Sequence, residues 1–185
     1  MQQMEAKDDA QRRNLTTMRQ RLEMLEGLSD DLFLSVKLEN HELAFVFDEV
    51  CLNELLTHLA EAHQISAQQK QIQMNLIVPT QPIWVWADDL RLQRVFDNLL
   101  RNAIAHTPEQ GTIGLECTIN QDQAEIRVCD TGEGIQQEEL PHLFDAFYTG
   151  NRSQGSGLGL AIAREIVEAH RGTIEVEATS KAGTV

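Results

Sequence analysis

Cysteine is scarce in this 185-residue chain, limited to Cys51, Cys117 and Cys129. The number is odd and no CxxC spacing occurs, which excludes a disulfide framework and points to reduced, buried thiols. No HExxH or comparable histidine spacing exists, so a histidine metal centre is excluded as well. Positive charge is also short, with 15 Lys and Arg against 29 Asp and Glu and a net charge of -14. A polyanion would be repelled from most faces, which excludes a nucleic-acid-binding domain. A nucleotide is not excluded, because a pocket supplies its own local donors. Long hydrophobic runs are missing: none approaches the ~20 residues that span a bilayer. The N-terminus, with Glu5, Lys7, Asp8 and Asp9, does not resemble a signal peptide. No membrane contact is expected of this segment. Its expected place is the cytoplasm, with or without an inner-membrane anchor on a parent protein.

What is present is a hydrophobic content of 42%, enough for the core of one ordinary domain plus an appended element. From about Glu5 to Glu39 there is no proline, and Leu15, Met18, Leu22, Leu25, Leu28 (or Ser29), Leu32 and Val36 recur at spacings of three and four. The pattern predicts a helix roughly 50 Å long with one narrow apolar stripe. Such a stripe calls for a partner helix; the competing reading is a core helix of the same domain. Asn40-His41 ends it.

Leu43–Phe47 predicts a short strand, Asn53–Gln69 a helix, Ile72–Val78 a half-buried strand and Ile83–Trp86 another. Asp88 and Asp89 can cap a helix through Leu92, Val95, Phe96, Leu99, Ala103 and Ile104, stopped by His106-Thr107-Pro108. Gly111–Ile119 and Gln123–Asp130 predict a hairpin turning at Asn120-Gln121-Asp122. A short helix is expected over Glu138–Phe144, a loop over Phe147–Gln154, a helix over Leu158–His170 and a strand over Gly172–Ala178. Gly183-Thr184 is a turn signal with nothing to lead into, so truncation there is the expectation. Interleaved helices and hairpins argue for an α/β (α+β) two-layer sandwich, a mixed sheet packed on helices, preceded by one long helix.

Three stretches could carry chemistry. In Gln123–Asp130 the residues Ala124, Ile126, Val128 and Asp130 share one face. An acid ending an apolar face needs a donor, and the exocyclic amine of a base is one; an Asp capping its own turn is the plainer alternative. Gly132 and Gly134 let backbone approach a flat ligand closely. Asn98 and Asn102 lie four apart, about 40° around a helix, on one stripe. Carboxamide oxygens can ligate Mg²⁺ that bridges phosphates; two solvated asparagines are the alternative. Finally, Gly155-Ser156-Gly157-Leu158-Gly159-Leu160 opens a helix whose first amides favour phosphate oxygens. No Gly-Lys-Ser/Thr follows, so it is not a P-loop, and Leu160 with no preceding strand excludes a dinucleotide fingerprint.

In this order and spacing the stretches resemble the ATP-binding domain of sensor histidine kinases, within the gyrase, Hsp90, histidine kinase and MutL superfamily. The resemblance runs from about Leu52 to the C-terminus. Asn98–Pro108 is similar to the N box, Asp130–Ile135 to the G1 box, Leu143–Tyr148 to the F box and Gly155–Ile162 to the G2 box. It implies the Bergerat ATP-binding fold with ATP and Mg²⁺ as cofactors. Asn98 and Asn102 would hold the metal and serve catalysis. Asp130 would read the adenine amine, with Gly132, Gly134 and Ile135 beside it. Gly155, Ser156, Gly157, Leu158, Gly159 and Leu160 would cradle the triphosphate, and Tyr148–Gln154 would form a lid from which Arg152 reaches a phosphate. Ala105 and His106 stand where the family often has a basic residue and Tyr, so His106 and Arg152 would compensate; Gln154 replaces a frequent Gly.

Residues 1–40 are similar to the second helix of the family's dimerisation and phosphotransfer hairpin, 41–51 to its linker strand and 52–185 to the catalytic domain. The partners so implied are a nucleotide, a phosphoacceptor histidine domain, a response regulator, and a second copy through the hairpin of the parent kinase. His41-Glu42-Leu43 imitates an acceptor site, but Ala44-Phe45-Val46 does not continue it. The acceptor histidine is therefore expected outside this chain. His58, His63, His142 and His170 are read as unremarkable surface or helix-end residues. Rival readings are an anti-sigma-type serine kinase of the same superfamily and a non-enzymatic scaffold.

Overall fold

The computed structural model describes Met18, Gly27, Ser29, residues 32–34, 36–37, 44–150, 156–180 and 182–185. The chain divides into two compact units, Met1–Leu43 and Ala44–Val185. In the first, every described residue is helical. Lys37 Nζ lies 4.4 Å from the Phe33 ring centre, one turn away. Met18, Leu32 and Val36, three members of the apolar stripe, are exposed. Leu15, Leu22, Leu25, Leu28 and the expected helix end at Asn40-His41 lie outside the described residues.

The second unit begins with β1 (Asp48–Cys51) and α1 (Leu52–Gln69), then β2 (Gln73–Ile77), β3 (Trp84–Ala87) and α2 (Asp89–His106). It continues with β4 (Thr112–Asn120), β5 (Gln123–Asp130), a 3₁₀ turn (Leu140–His142), α3 (Gly159–Ala169), β6 (Thr179–Ser180) and β7 (Gly183–Thr184). Among the described residues the strands form a two-stranded sheet, β1-β3, and a five-stranded one in the order β2-β4-β5-β7-β6. β2 and β4 are parallel and the other pairs antiparallel, a mixed sheet.

Alternation along β4 buries Ile113, Leu115 and Cys117. Glu116 and Arg127, directly paired across β4 and β5, take the opposite face. Against the buried face lie Leu55, Leu56 and Leu59 of α1, Val95, Phe96 and Leu100 of α2, and Ile162 and Ile166 of α3. Each such side chain contributes about 1.5–3 kcal/mol on burial. Asp88 caps α2 by accepting from the Arg91 amide (3.1 Å), as its position before the apolar run predicts. Gln121 takes a positive φ of 55° in the hairpin turn between β4 and β5.

Four local expectations change. The strand expected over Leu43–Phe47 forms instead at Asp48–Cys51. Its partner β3 spans only Trp84–Ala87, in register Cys51↔Trp84 to Asp48↔Ala87, and 44–47 run past its end. The helix expected over Glu138–Phe144 is reduced to the Leu140–His142 turn, because Pro141 has no amide for a helix interior. The strand pattern of Gly172–Ala178 does not enter a ladder; only Thr179–Ser180 do, pairing with the two-residue β7. A strand needs a partner edge, and β7 reaches β5 through the single pair Asp130↔Thr184. His63 is no surface residue: its side chain is 12% exposed and its Nε2 lies 2.8 Å from Asp97 Oδ1.

Candidate nucleotide site

Three elements bring the site together: the C-terminal half of α2, the turn after β5, and the turn into α3. Asp130 ends β5, where its Oδ1 accepts the Gly132 amide at 2.7 Å. The turn-capping alternative is thus realised, but with one oxygen only; Oδ2 has no partner among the described residues. Gly132 is buried, and a Cβ there would stand 2.7 Å from both Asp130 Oδ1 and the His106 carbonyl oxygen. Gly134, at φ 73°, turns its Cα onto the Ser180 backbone, so a side chain here would collide with β6. The Ile135 amide donates to Thr179 Oγ1 (2.7 Å), tying the same turn to β6.

Asn98 and Asn102 occupy one stripe of α2 but different depths. Asn98 is buried, and its Nδ2 donates to the Gly159 carbonyl (2.9 Å), bracing α2 against the turn that opens α3. Asn102, one turn on, lines the cleft. The Leu158 amide is held by Ser156 Oγ (3.2 Å), and the helical ladder starts with Ile162 N–H to Leu158 O (2.9 Å). The amides of Gly159, Leu160 and Ala161 therefore precede the ladder. Gly157 takes φ 70°, and its carbonyl accepts the Phe147 amide (3.0 Å), joining Phe147 to the turn that opens α3.

Asn102, His106, Asp130, Ile135, Tyr148 and Leu160 line one open cleft of about 1540 Å³, together with Gly134. That cleft also runs on between β5 and residues 173–177, where no strand separates them. Asn98, Gly132, Ser156, Gly157, Leu158 and Gly159 are not among the residues that line it. Arg152 and Gly155 lie outside the described residues. Sequence reasoning missed Glu133, whose Oε1 lies 3.7 Å from His106 Nδ1, and Thr184, which pairs with Asp130 across β5 and β7 and lines the cleft. Glu133 was legible as the acid between two glycines. Thr184 was not, because Gly183-Thr184 reads locally as a turn.

The acceptor-only carboxylate, the carboxamide and the pre-helical amides fit a nucleotide with its metal. No group of three His, Cys, Asp or Glu able to hold a metal exists among the described residues, so neutral oxygens and phosphates would have to share one. A two-layer fold with this cleft defines the class of nucleotide-binding domains in which glycine turns and a helix face enclose the ligand.

The chain belongs to the family described as histidine kinase-, DNA gyrase B-, and HSP90-like ATPase, whose profile matches residues 87–185. It is 33% identical to the sensor histidine kinase RppB of Synechocystis sp. over 92% of this chain and 39% of that protein. Among solved structures it is similar to full-length ShkA in complex with AMPPNP, at TM-score 0.80 and 26% identity, covering 94% of this chain and 37% of that one. The catalytic domain of the histidine kinase ThkA matches at TM-score 0.69 and 30% identity, over 76% of this chain and 91% of that domain. ThkA in complex with the response regulator TrrA matches at TM-score 0.72 and 26% identity, over 90% and 46%. The chain thus spans about two fifths of the length of RppB, a curated relative it matches.

Proposed function

We propose that this chain is the ATP-binding catalytic part of a sensor histidine kinase, which binds Mg²⁺-ATP and delivers the γ-phosphate to a histidine outside the chain. A response-regulator aspartate then receives it. Residues 1–40 belong to the second helix of a dimerisation hairpin, 41–51 to the linker and 52–185 to the catalytic domain. The observation that carries the reading is Asp130 at the end of β5, one oxygen fixed by Gly132 and the other without a partner among the described residues, in the cleft that Asn102 and Leu160 also line.

Asp130 Oδ2 accepts the adenine amine, and Gly132 keeps the space beside it clear of side chain. Asn102 and Asn98 offer carboxamide oxygens to Mg²⁺, which supplies charge neutralisation for phosphoryl transfer when bound. The pre-helical amides of α3 donate to phosphate oxygens, helped by the positive end of the helix dipole. Tyr148–Gln154 close over the nucleotide, and His106 and Arg152 take the place of the basic residue that Ala105 lacks. The chain needs no nucleophile of its own; positioning and electrostatics do the work.

Calorimetric titration of the chain with an ATP analogue and Mg²⁺ should give saturable heat, with adenine preferred over guanine. Asp130→Asn keeps the oxygen that accepts from Gly132, so it spares the turn; it should weaken adenine nucleotide binding at least tenfold, about 1.4 kcal/mol. Unchanged affinity and unchanged base preference would remove the basis of the reading. With a hairpin domain as acceptor, the transferred label should be acid-labile; acid-stable label would point to serine as the acceptor.

A further inference from the structure

His170 is the residue after α3, and both ring nitrogens are engaged. Its Nδ1 lies 2.7 Å from the Ile166 carbonyl oxygen, which can only accept. Nε2 accepts the Asp88 amide at 2.9 Å. These two bonds are compatible with one state alone, the neutral ring protonated on Nδ1. The ring packs against Phe45 (centroids 5.6 Å apart, edge-on) and Phe47 (5.0 Å), which themselves lie 5.9 Å apart. Between these two phenylalanines the Val46 amide donates to Asp88 Oδ2 (2.9 Å), while Asp88 Oδ1 caps α2.

Three pieces of chain therefore meet at one point: the start of α2, the end of α3 and residues 44–47. Both helices carry residues that line the cleft, Asn102 on α2 and Leu160 on α3. Residues 44–47 are the first of the second unit, directly after the division at Leu43. They form no strand, so their path is fixed by this junction and not by a ladder.

We propose that His170 is a positioning residue that fixes where the chain enters the catalytic unit, by locking residues 44–47 onto the ends of α2 and α3. On the proposed function, which this extends, the acceptor histidine is reached through that segment. The ring is suited to this because it supplies an acceptor, a donor and an aromatic face together. A phenylalanine keeps only the face, and a glutamine keeps an acceptor of similar reach.

The test uses the whole chain, with nitrogen-detected NMR of His170, amide hydrogen exchange and calorimetry with an ATP analogue and Mg²⁺. The wild type should show the Nδ1-protonated neutral tautomer. His170→Phe should speed exchange at the Val46 and Asp88 amides about tenfold or more while leaving the Leu56 and Leu100 amides and nucleotide affinity within about twofold. His170→Gln should restore slow exchange at Asp88. The proposal is overturned by the opposite tautomer, by unchanged exchange at Val46 in His170→Phe, or by acceleration spread equally over the core. If the wild type binds no nucleotide, the kinase reading fails, while tautomer and exchange still decide the role of His170.

Discussion

Burial holds the Cys117 thiol above its ordinary value of 9.0, and it raises Cys129 likewise, with Glu116 adding to the effect there. A group whose folded pKa is raised binds its proton more tightly in the native state, so its contribution to stability is whole below the ordinary value and is lost as pH rises through the folded one. Stability should therefore hold from neutrality to about pH 9 and fall above it, and Cys117→Ser should flatten that alkaline limb in urea titrations. Cys51 and Cys117 are buried as expected, whereas Cys129 is only half-buried, so Cys117 should also alkylate slowly at neutral pH in the folded chain and fast in urea. Rapid native labelling of Cys117 would contradict its burial. The same scale shows how much a single residue could disclose. Parity alone placed Asp130 at the end of an apolar face. It could not say that one oxygen caps Gly132 and the other does not, because that division depends on how tightly the turn closes against His106. His170 was still less legible: its role depends on Phe45, Phe47 and Asp88, all remote from it in the chain.

Among the elements, α2 was readable from end to end, cap, stripe and stop, since each of those signals is local. What holds its last turn was not. Lys70, just past α1, extends Nζ to the Ile104 and Ala105 carbonyls at 2.7 and 3.0 Å. A cation there satisfies two terminal acceptors and opposes the negative end of the helix dipole. Lys70→Met should lower stability by about 1–2 kcal/mol in chemical denaturation and speed amide exchange in the turn carrying Asn102 and His106. No change in either would mean that the turn holds itself. Elements failed where strand or helix patterns met a non-local constraint. Gly172–Ala178 alternate as a strand should, yet a strand is a relation between two edges, and among the described residues only the end of this segment meets one, where Glu177 and Ala178 bond the backbone of Val185. At Glu138–Phe144, Pro141 outweighed the apolar spacing.

For the molecule as a whole, a net charge of -14 opposes the approach of an anionic nucleotide at long range. Nucleotide association should accordingly quicken as salt rises from about 20 to 200 mM, as the Debye length contracts to below about 10 Å. Stopped-flow rates that fell with salt would reveal a local positive field at the cleft strong enough to outweigh the total charge. Periodicity and turn signals determined by themselves an α/β sandwich with a mixed sheet, and the asparagine and glycine stretches carried the resemblance to this family, because those signals lie within single elements or single turns. Tertiary structure alone decided that Asn98 braces a glycine turn while Asn102 faces the cleft, that Thr184 pairs with Asp130, and that Asp88 and His170 clasp residues 44–47. Each of these joins residues far apart in the chain, and sequence spacing carries no information about which distant groups a fold brings within hydrogen-bonding reach.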